Sequence, residues 1–509
     1  MPVNNNESSI AKNESLLIRV LLLSFSILLI AVSYPGSSLP LLVIIAVAPA
    51  LVAVANLRPM FSAIILGFWA WVWWLIALWW GIPSLVNFTE SSLLVSTLVI
   101  GLICFSLALP YALSAFIISY FKLWQSSLAF IHIPLCFTVF ITAFSSILPA
   151  APVNALFEYP VLLQWADVGG LPLLTFFYFI ANTAIASIFI NKKNKRVKPI
   201  LVLLILIVTV LSYGYFRLTE QDTSATKLVR IGYLQPALSV NNNLSDLIAQ
   251  TNQLNQLQQP PELIIWPEVP IDFSWQNNEY ERYRIKSLAK KLNTHLFILP
   301  GYRYVNNENA LSGHFNSANL ISDKGENLAE YHKQILVPFF EYLPFSEQFK
   351  SYFPNVRNYV AGTKAVPFDF KGTILAPLIC YEALFSSKVR PYVEEKADII
   401  INPGNDGWFS TAGALSHLSL TLLRSIEYRM PLIRVNNSGV STVIDQKGNI
   451  LFDTLSPLGE KTEKVFEVKV TKQKSPTFYY RFSNILTVFA VLLLLILLVL
   501  RQRDLSANA

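Results

Sequence analysis

Seven long apolar runs crowd the first 216 residues, at roughly 16–34, 38–56, 60–81, 92–119, 126–148, 169–190 and 198–216, and an eighth covers 483–500. Nothing else in the chain restricts its fold as strongly. Crossing a hydrocarbon core of about 30 Å takes about 20 apolar residues as α-helix. Within hydrocarbon every backbone polar group must find its partner inside the protein, which makes the helix the form for such runs. The expected fold class is an α-helical transmembrane bundle of eight spans, with an α/β domain inserted before the last. The first run is read as an anchor rather than a cleaved leader, since six further runs follow it. Charged residues are only 14% of the chain, against about 25% in ordinary soluble proteins. That deficit, with no basic stripe, excludes a disordered chain and a nucleic-acid partner.

Orientation follows from where Lys and Arg fall in the short loops. Arg58, Lys122 and the cluster Lys192, Lys193, Lys195, Arg196 and Lys198 lie on one side, joined by Arg501 and Arg503 of the tail. Loops 35–37, 82–91 and 149–168 hold no Lys or Arg, but contain Glu90, Glu158 and Asp167. Both termini are therefore expected in the cytoplasm and residues 217–482 outside it. The expected division is a membrane domain at 1–216 with seven helices, an extracytoplasmic domain at 217–482, and an eighth helix with its tail at 483–509. Trp69, Trp71, Trp73, Trp74, Trp79 and Trp80 read as an interfacial aromatic belt, with a groove for a lipid chain as the alternative. The 149–168 loop is unusually apolar and is expected to lie along the outer membrane surface.

Residues 217–482 read differently. They carry 28 Lys and Arg against 26 Asp and Glu. Short β-type runs, such as Leu228–Tyr233, Leu263–Trp266, Gly372–Cys380, Ile399–Asn402 and Leu432–Val435, alternate with helical stretches at 279–292 and 415–429. Alternation of this kind predicts a layered α/β domain. No metal-type Cys/His cluster and no phosphate-cradling glycine motif is present, so no metal and no cofactor are expected.

Of the three cysteines, Cys104 and Cys136 fall within apolar runs and read as small buried side chains. Cys380 is the one cysteine of 217–482. Outside the cytoplasm thiols tend to be paired, and this one has no partner in its domain. It ends the apolar run ILAPLIC, where a strand end fixes a side chain yet leaves it accessible. A nucleophile and a buried inert thiol are both open readings on position alone. The thiolate is the reactive form, so activation needs a base or a nearby cation. Glu268 follows the apolar strand LIIWPE. Lys333 and Glu341 are embedded in the aromatic segment YHKQILVPFFEYLPF, where a charge is costly unless paired. Together they outline a base, a cation and a thiol.

These residues carry a resemblance. WPE at 266–268, YHKQILVPFFEYLPF at 331–345 and CYE at 380–382 resemble the nitrilase superfamily with its Glu–Lys–Cys triad. The same order inside an eight-span chain resembles the apolipoprotein N-acyltransferases. NDGWFS at 405–410 with His417, RSIEYRMPLIRVNNSGVSTVID at 424–445, LLQWADVGG at 162–170 and Asn182 fit the same family. Phe340, Gly407, Ser416 and the Asn436–Gly439 loop depart from its common pattern, and none removes a catalytic group.

The resemblance implies an αββα nitrilase-like sandwich on the periplasmic side of a bacterial inner membrane, in a monomer. It implies Glu268 as general base, Cys380 as nucleophile and Lys333 as oxyanion stabiliser, with Glu341 supporting Lys333. Tyr381 and Glu382 would shape the substrate pocket, and Trp266, Asn316 and Trp408 would line it. The implied reaction moves an acyl chain from a membrane phospholipid, the sn-1 chain of phosphatidylethanolamine by precedent, through a Cys380 thioester. The acceptor is the α-amino group of a diacylglyceryl-cysteine apolipoprotein. The rival readings are a membrane-tethered amidase acting on small amides, a non-catalytic transporter or scaffold, and an acyltransferase with another acceptor.

Overall fold

A computed structural model describes residues 5–145, 147–220, 226–237, 243–271, 273–300, 302–305, 313–344, 346–353, 356, 359–471 and 476–507. The chain divides into two compact units. One comprises Met1–Trp79, Leu98–Thr219 and Arg481–Ala509; the other comprises Trp80–Thr97 and Glu220–Tyr480.

The first unit is helical. Among the described residues five helices are long and apolar enough to cross a membrane: Pro59–Ala77, Leu93–Tyr120, Ala166–Ile190, Val197–Thr219 and Phe478–Ala507. The other three runs form shorter apolar helices, Leu16–Val32, Pro40–Val54 and Ala129–Ala143. The second of these is itself broken, a 3-10 turn at Pro40–Ile45 followed by an α-helix at Ala48–Val54. A break frees backbone groups that lipid cannot satisfy. Asn182 takes them up. Its Oδ1 accepts from the N–H groups of Val47 (3.0 Å) and Ala48 (2.8 Å), and its Nδ2 donates to the Ile44 carbonyl at 3.0 Å.

Two sequence expectations change here. Trp69, Trp73 and Trp74 do not form a belt; they are buried inside the helical unit. Trp73 stacks on Trp74 at 4.1 Å between ring centroids, and Tyr111 meets Trp69 and Trp73 edge-on. Their spacing puts them on an inward face, where aromatic partners offer more contact than the headgroup layer does. The apolar side chains of the 149–168 loop do not spread over a surface either. Val153, Leu156, Phe157 and Leu163 are buried within the unit, where the turn Pro152–Leu156 packs on Pro40–Ile45.

Among its described residues the second unit holds twelve strands: β1 (Thr226–Gln235), β2 (Leu263–Ile265), β3 (His295–Ile298), β4 (Tyr302–Val305), β5 (Gly313–Ile321), β6 (Asn327–His332), β7 (Phe368–Phe370), β8 (Thr373–Pro377), β9 (Ile399–Gly404), β10 (Leu432–Asn436), β11 (Thr442–Ile444) and β12 (Thr462–Thr471). They form a seven-stranded sheet, ordered β12-β1-β2-β3-β5-β4 with β6 on β5, and a five-stranded sheet, ordered β11-β10-β9-β8-β7. The central strands β1, β2 and β3 are parallel, as are β8, β9 and β10. β2, β3, β9 and β10 are buried along their whole length, which is why they read as short, mostly apolar runs rather than alternating ones.

The sheets face each other, with Phe297 of β3 packed on Phe368 of β7 at 5.5 Å. Helices Leu244–Asn255 and Glu279–Leu292 cover the first sheet through Leu247, Leu254, Ile285 and Leu288, which pack with Ile264, Leu296 and Ile298. Helices Ser386–Glu394 and Thr411–Tyr428 lie on the second; Tyr392 donates to the Pro377 carbonyl of β8 at 2.9 Å, and Arg434 of β10 reaches Thr421. The layers run helix, sheet, sheet, helix, the order that the resemblance implies.

Candidate active site

Three strand ends supply the site. Glu268 stands just past β2, with its carbonyl accepting from the Asn437 side chain. Lys333 follows β6 directly, and its N–H donates to the Asn316 carbonyl of β5 at 2.8 Å. Cys380 comes two residues after Leu378, whose N–H still donates to the Ile401 carbonyl of β9 at 2.9 Å. The chain then turns sharply. Cys380 has φ 52°, a left-handed value rare for a side-chain-bearing residue, and opens the 3-10 turn Cys380–Leu384. Such strain persists only where surroundings hold it. Asn402 of β9 does so from one side, donating to the carbonyls of Leu378 (2.7 Å) and Cys380 (3.0 Å).

Glu382 holds the turn from the other side. Its carboxylate accepts from its own turn at the Ile379 N–H (2.8 Å), from the N–H groups of Gln334 (2.5 Å) and Ile335 (3.1 Å), and from the Tyr331 hydroxyl (2.8 and 2.9 Å). It therefore clamps the Cys380 turn to the segment that carries Lys333. Burial raises its pKa, against the pull of those N–H donors. Its carboxylate is thus spent on positioning rather than on lining a pocket.

The charged residues singled out in the sequence meet directly. Lys333 Nζ lies 2.8 Å from Glu341 Oε1 and 3.3 Å from Glu268 Oε1. Asn316 Nδ2 donates to Glu268 Oε1 at 2.6 Å, and Val337 N–H donates to Glu341 Oε2 at 2.8 Å. Lys333 is 1% exposed. Burial alone would lower its pKa, but Glu268 and Glu341 outweigh that and keep it an ammonium. Glu341 is raised by burial, with Lys333 acting against the rise. The Cys380 thiol is pushed up by burial and by the Glu268 carboxylate, while Lys333 and the Asn405 N–H pull it down. The resting sulfur is thus a thiol that needs a base, beside a fixed cation.

A second polar group flanks the same sulfur. Cys380 Sγ, a carboxylate oxygen of Asp406 and a ring nitrogen of His417 all lie within 4.8 Å of one another. Asp406 Oδ1 is 2.8 Å from His417 Nδ1, and its Oδ2 accepts from Arg434 Nη2 at 2.6 Å. Arg434 Nη1 also donates to Asn402 Oδ1 at 2.6 Å. Burial would raise Asp406, but Arg434 and His417 hold it below the usual carboxylate range. Thiol, carboxylate and imidazole are metal-ligand types, yet both Asp406 oxygens are engaged and a guanidinium already sits on one, which disfavours a second cation. Gly439 is required beside this group: a Cβ there would come 2.5 Å from the Asp406 Cβ.

The roles of Asp406, Arg434 and Asn402 are not legible in the motifs, although their setting is a signal. Each is a polar side chain in or next to an apolar strand, IIINPGND or LIRVN, where burial demands a partner. Of the remaining candidates, Tyr381 is half-buried with its ring against Phe385 at 5.0 Å. Trp266 does not line a pocket. It is fully buried in the core under helix Leu244–Asn255, with Nε1 donating to Thr251 at 3.2 Å, because a side chain one residue past β2 still points to the helix-covered face. Trp408 is 40% exposed; Phe88 meets its ring edge-on at 5.1 Å and also touches Phe340 at 5.4 Å.

Residues 230–475 match the family model described as carbon-nitrogen hydrolase. The chain is similar to the apolipoprotein N-acyltransferase of Geobacter metallireducens, 27% identical over 341 residues that span 64% of each chain. It is likewise similar to that of Rickettsia prowazekii, 28% identical over 352 residues, 67% of this chain and 68% of the relative. Among solved structures, an amidase from Nesterenkonia sp. matches at 19% identity and a TM-score of 0.37, covering 50% of this chain and 92% of that one. The domain at 230–475 belongs to the carbon-nitrogen hydrolase, or nitrilase, superfamily, in a membrane-helical chain similar over about two-thirds of its length to the apolipoprotein N-acyltransferases.

Proposed function

We propose that this chain is an apolipoprotein N-acyltransferase of a bacterial inner membrane, with Glu268, Lys333 and Cys380 as its catalytic triad. One observation carries the reading: a buried ammonium, Lys333, bracketed by Glu268 and Glu341, whose charge bears on a thiol held at a strained strand end. A thiol raised by burial is unreactive unless a base takes its proton. Glu268 takes it as Cys380 Sγ attacks the ester carbonyl of a phospholipid. Lys333 stabilises the oxyanion, a contribution that in comparable sites amounts to about 10²–10³-fold. Glu268 then passes the proton to the departing lysophospholipid oxygen, leaving a thioester. The α-amine of diacylglyceryl-cysteine attacks it, giving an amide and the free thiol, with ping-pong kinetics. Glu341 keeps Lys333 charged and oriented.

The membrane-length helices support lipid-borne substrates. Drawing an acyl chain into water costs about 0.8 kcal/mol per CH₂, which a bilayer-anchored catalyst avoids. The proposal includes eight spans, cytoplasmic termini, a periplasmic domain at 217–482 and a monomeric chain. The experiment is incubation with vesicles of phosphatidylethanolamine bearing a labelled acyl chain. Expected is a covalent label on Cys380 that hydroxylamine removes and that C380A lacks. Hydrolysis of small amides with no such adduct would favour the tethered amidase instead.

A further inference from the structure

Transfer to an amine has a proton problem that the triad leaves open. This rests on the thioester reading above. An α-amino group has a pKa of about 7.7–8.0, so at neutral pH the acceptor arrives largely as an ammonium with no lone pair. Two protons must therefore leave its nitrogen, one before attack and one after. Glu268 has a use for one, since the departing sulfur needs it. Lys333 is held as an ammonium, and Glu341 is engaged by Lys333 and by the Val337 N–H.

His417 has what the first proton needs. Its Nδ1 faces Asp406 Oδ1 at 2.8 Å, and Arg434 on the second oxygen keeps that carboxyl ionised. Nδ1 therefore carries the ring proton, and Nε2 presents a bare lone pair. Nε2 is buried with no hydrogen-bond partner among the described residues, and an acceptor left so typically costs about 1–3 kcal/mol. A nitrogen of the ring is within 4.8 Å of Cys380 Sγ, where the acyl group would be carried. Phe409 meets the ring edge-on at 6.1 Å. Burial and the Arg434 charge lower its pKa, so it rests neutral; the carboxylates of Asp406 and Glu268 act the other way and favour the imidazolium once formed.

We propose that His417 Nε2 accepts the first proton of the incoming ammonium, while Glu268 carries the second to the sulfur. The lone pair so freed forms the new C–N bond, the C–S bond breaks towards sulfur, and the imidazolium returns its proton to water. The products are the amide, the Cys380 thiol and one proton, which balances the ammonium and thioester consumed.

The full chain in vesicles tests this by separating the half-reactions in wild type and H417Q. Thioester formation from labelled phosphatidylethanolamine is expected within about two-fold of wild type, since no amine takes part. Aminolysis of the isolated acyl-enzyme by a synthetic diacylglyceryl-cysteine peptide at pH 7 is expected to slow by about 10²-fold, the lower end for a lost acid–base group. The deficit is expected to shrink above pH 9, where the amine arrives neutral. The other charged or titratable groups facing the ring, Asp406, Arg434, Glu268 and Cys380, are the same in both proteins. Hydroxylamine, already neutral at pH 7, is expected to cleave both acyl-enzymes alike. Equal losses in both half-reactions, a deficit constant with pH, or no deficit would each overturn the assignment. A wild-type chain that forms no thioester overturns the underlying reading and this one with it, whereas adducts that form and decay equally overturn only the role of His417.

Discussion

At the scale of single residues, the site works by surplus charge. One ammonium faces two carboxylates, so Lys333 remains a cation where burial would otherwise neutralise it. Glu341 is the more tightly placed partner, at 2.8 Å against 3.3 Å for Glu268. Glu341→Gln removes that ion pair but leaves Glu268 and the thiol intact. The expected result is a fall of about 10²-fold in kcat with little change in KM, because the lost interaction is one made in the transition state; steady-state kinetics on mixed vesicles would read it. A loss confined to KM would instead place Glu341 in ground-state substrate binding. Trp266 makes the opposite case. Next to the glutamate in sequence, it serves the core, and Trp266→Phe is expected to lower stability by about 1–3 kcal/mol with the half-reaction rates of the folded protein unchanged.

At the scale of elements, the strained turn at Cys380 is secured by donors from outside it. Glu382 takes hydrogen bonds from the N–H groups of Ile379, Gln334 and Ile335 and from the Tyr331 hydroxyl. Glu382→Ala leaves these buried donors without an acceptor, and each unmet donor costs about 1–3 kcal/mol. A loss of at least about 3 kcal/mol is expected, visible in thermal melts in detergent; Glu382→Gln, which keeps one acceptor oxygen, is expected to lose less. Equal melting of both variants and wild type would show the clamp to be idle. Helix Glu279–Leu292 coincides with its apolar periodicity, and Thr411–Tyr428 begins slightly before its own. The earlier start has a local cause: Ser410 caps the helix by accepting from Gly413 N–H at 3.4 Å.

At the scale of the whole molecule, the apolar runs announce membrane helices, and among the described residues five of the eight attain spanning length. The second run is broken after Pro40–Ile45, where the Asn182 side chain takes up the freed backbone groups. The proposed topology is testable by single cysteines. A membrane-impermeant maleimide applied to spheroplasts is expected to label a cysteine at Glu158 and to spare one at Lys195 until the membrane is opened. The reverse pattern would invert the orientation and put the catalytic unit in the cytoplasm.

The chain's sequence alone determined the membrane-helical character, the α/β layering, and the set Glu268, Lys333, Glu341 and Cys380. Apolar run length, strand-like clustering and a charge stranded in an aromatic segment are local properties, written in consecutive residues. Only the tertiary structure decided that Trp69, Trp73 and Trp74 turn inward, that Glu382 is a clamp, and that Asp406, His417 and Arg434 meet beside the sulfur. Those outcomes depend on which strand ends and helix faces converge, and burial then compels each polar group to take whatever partner the fold brings within reach.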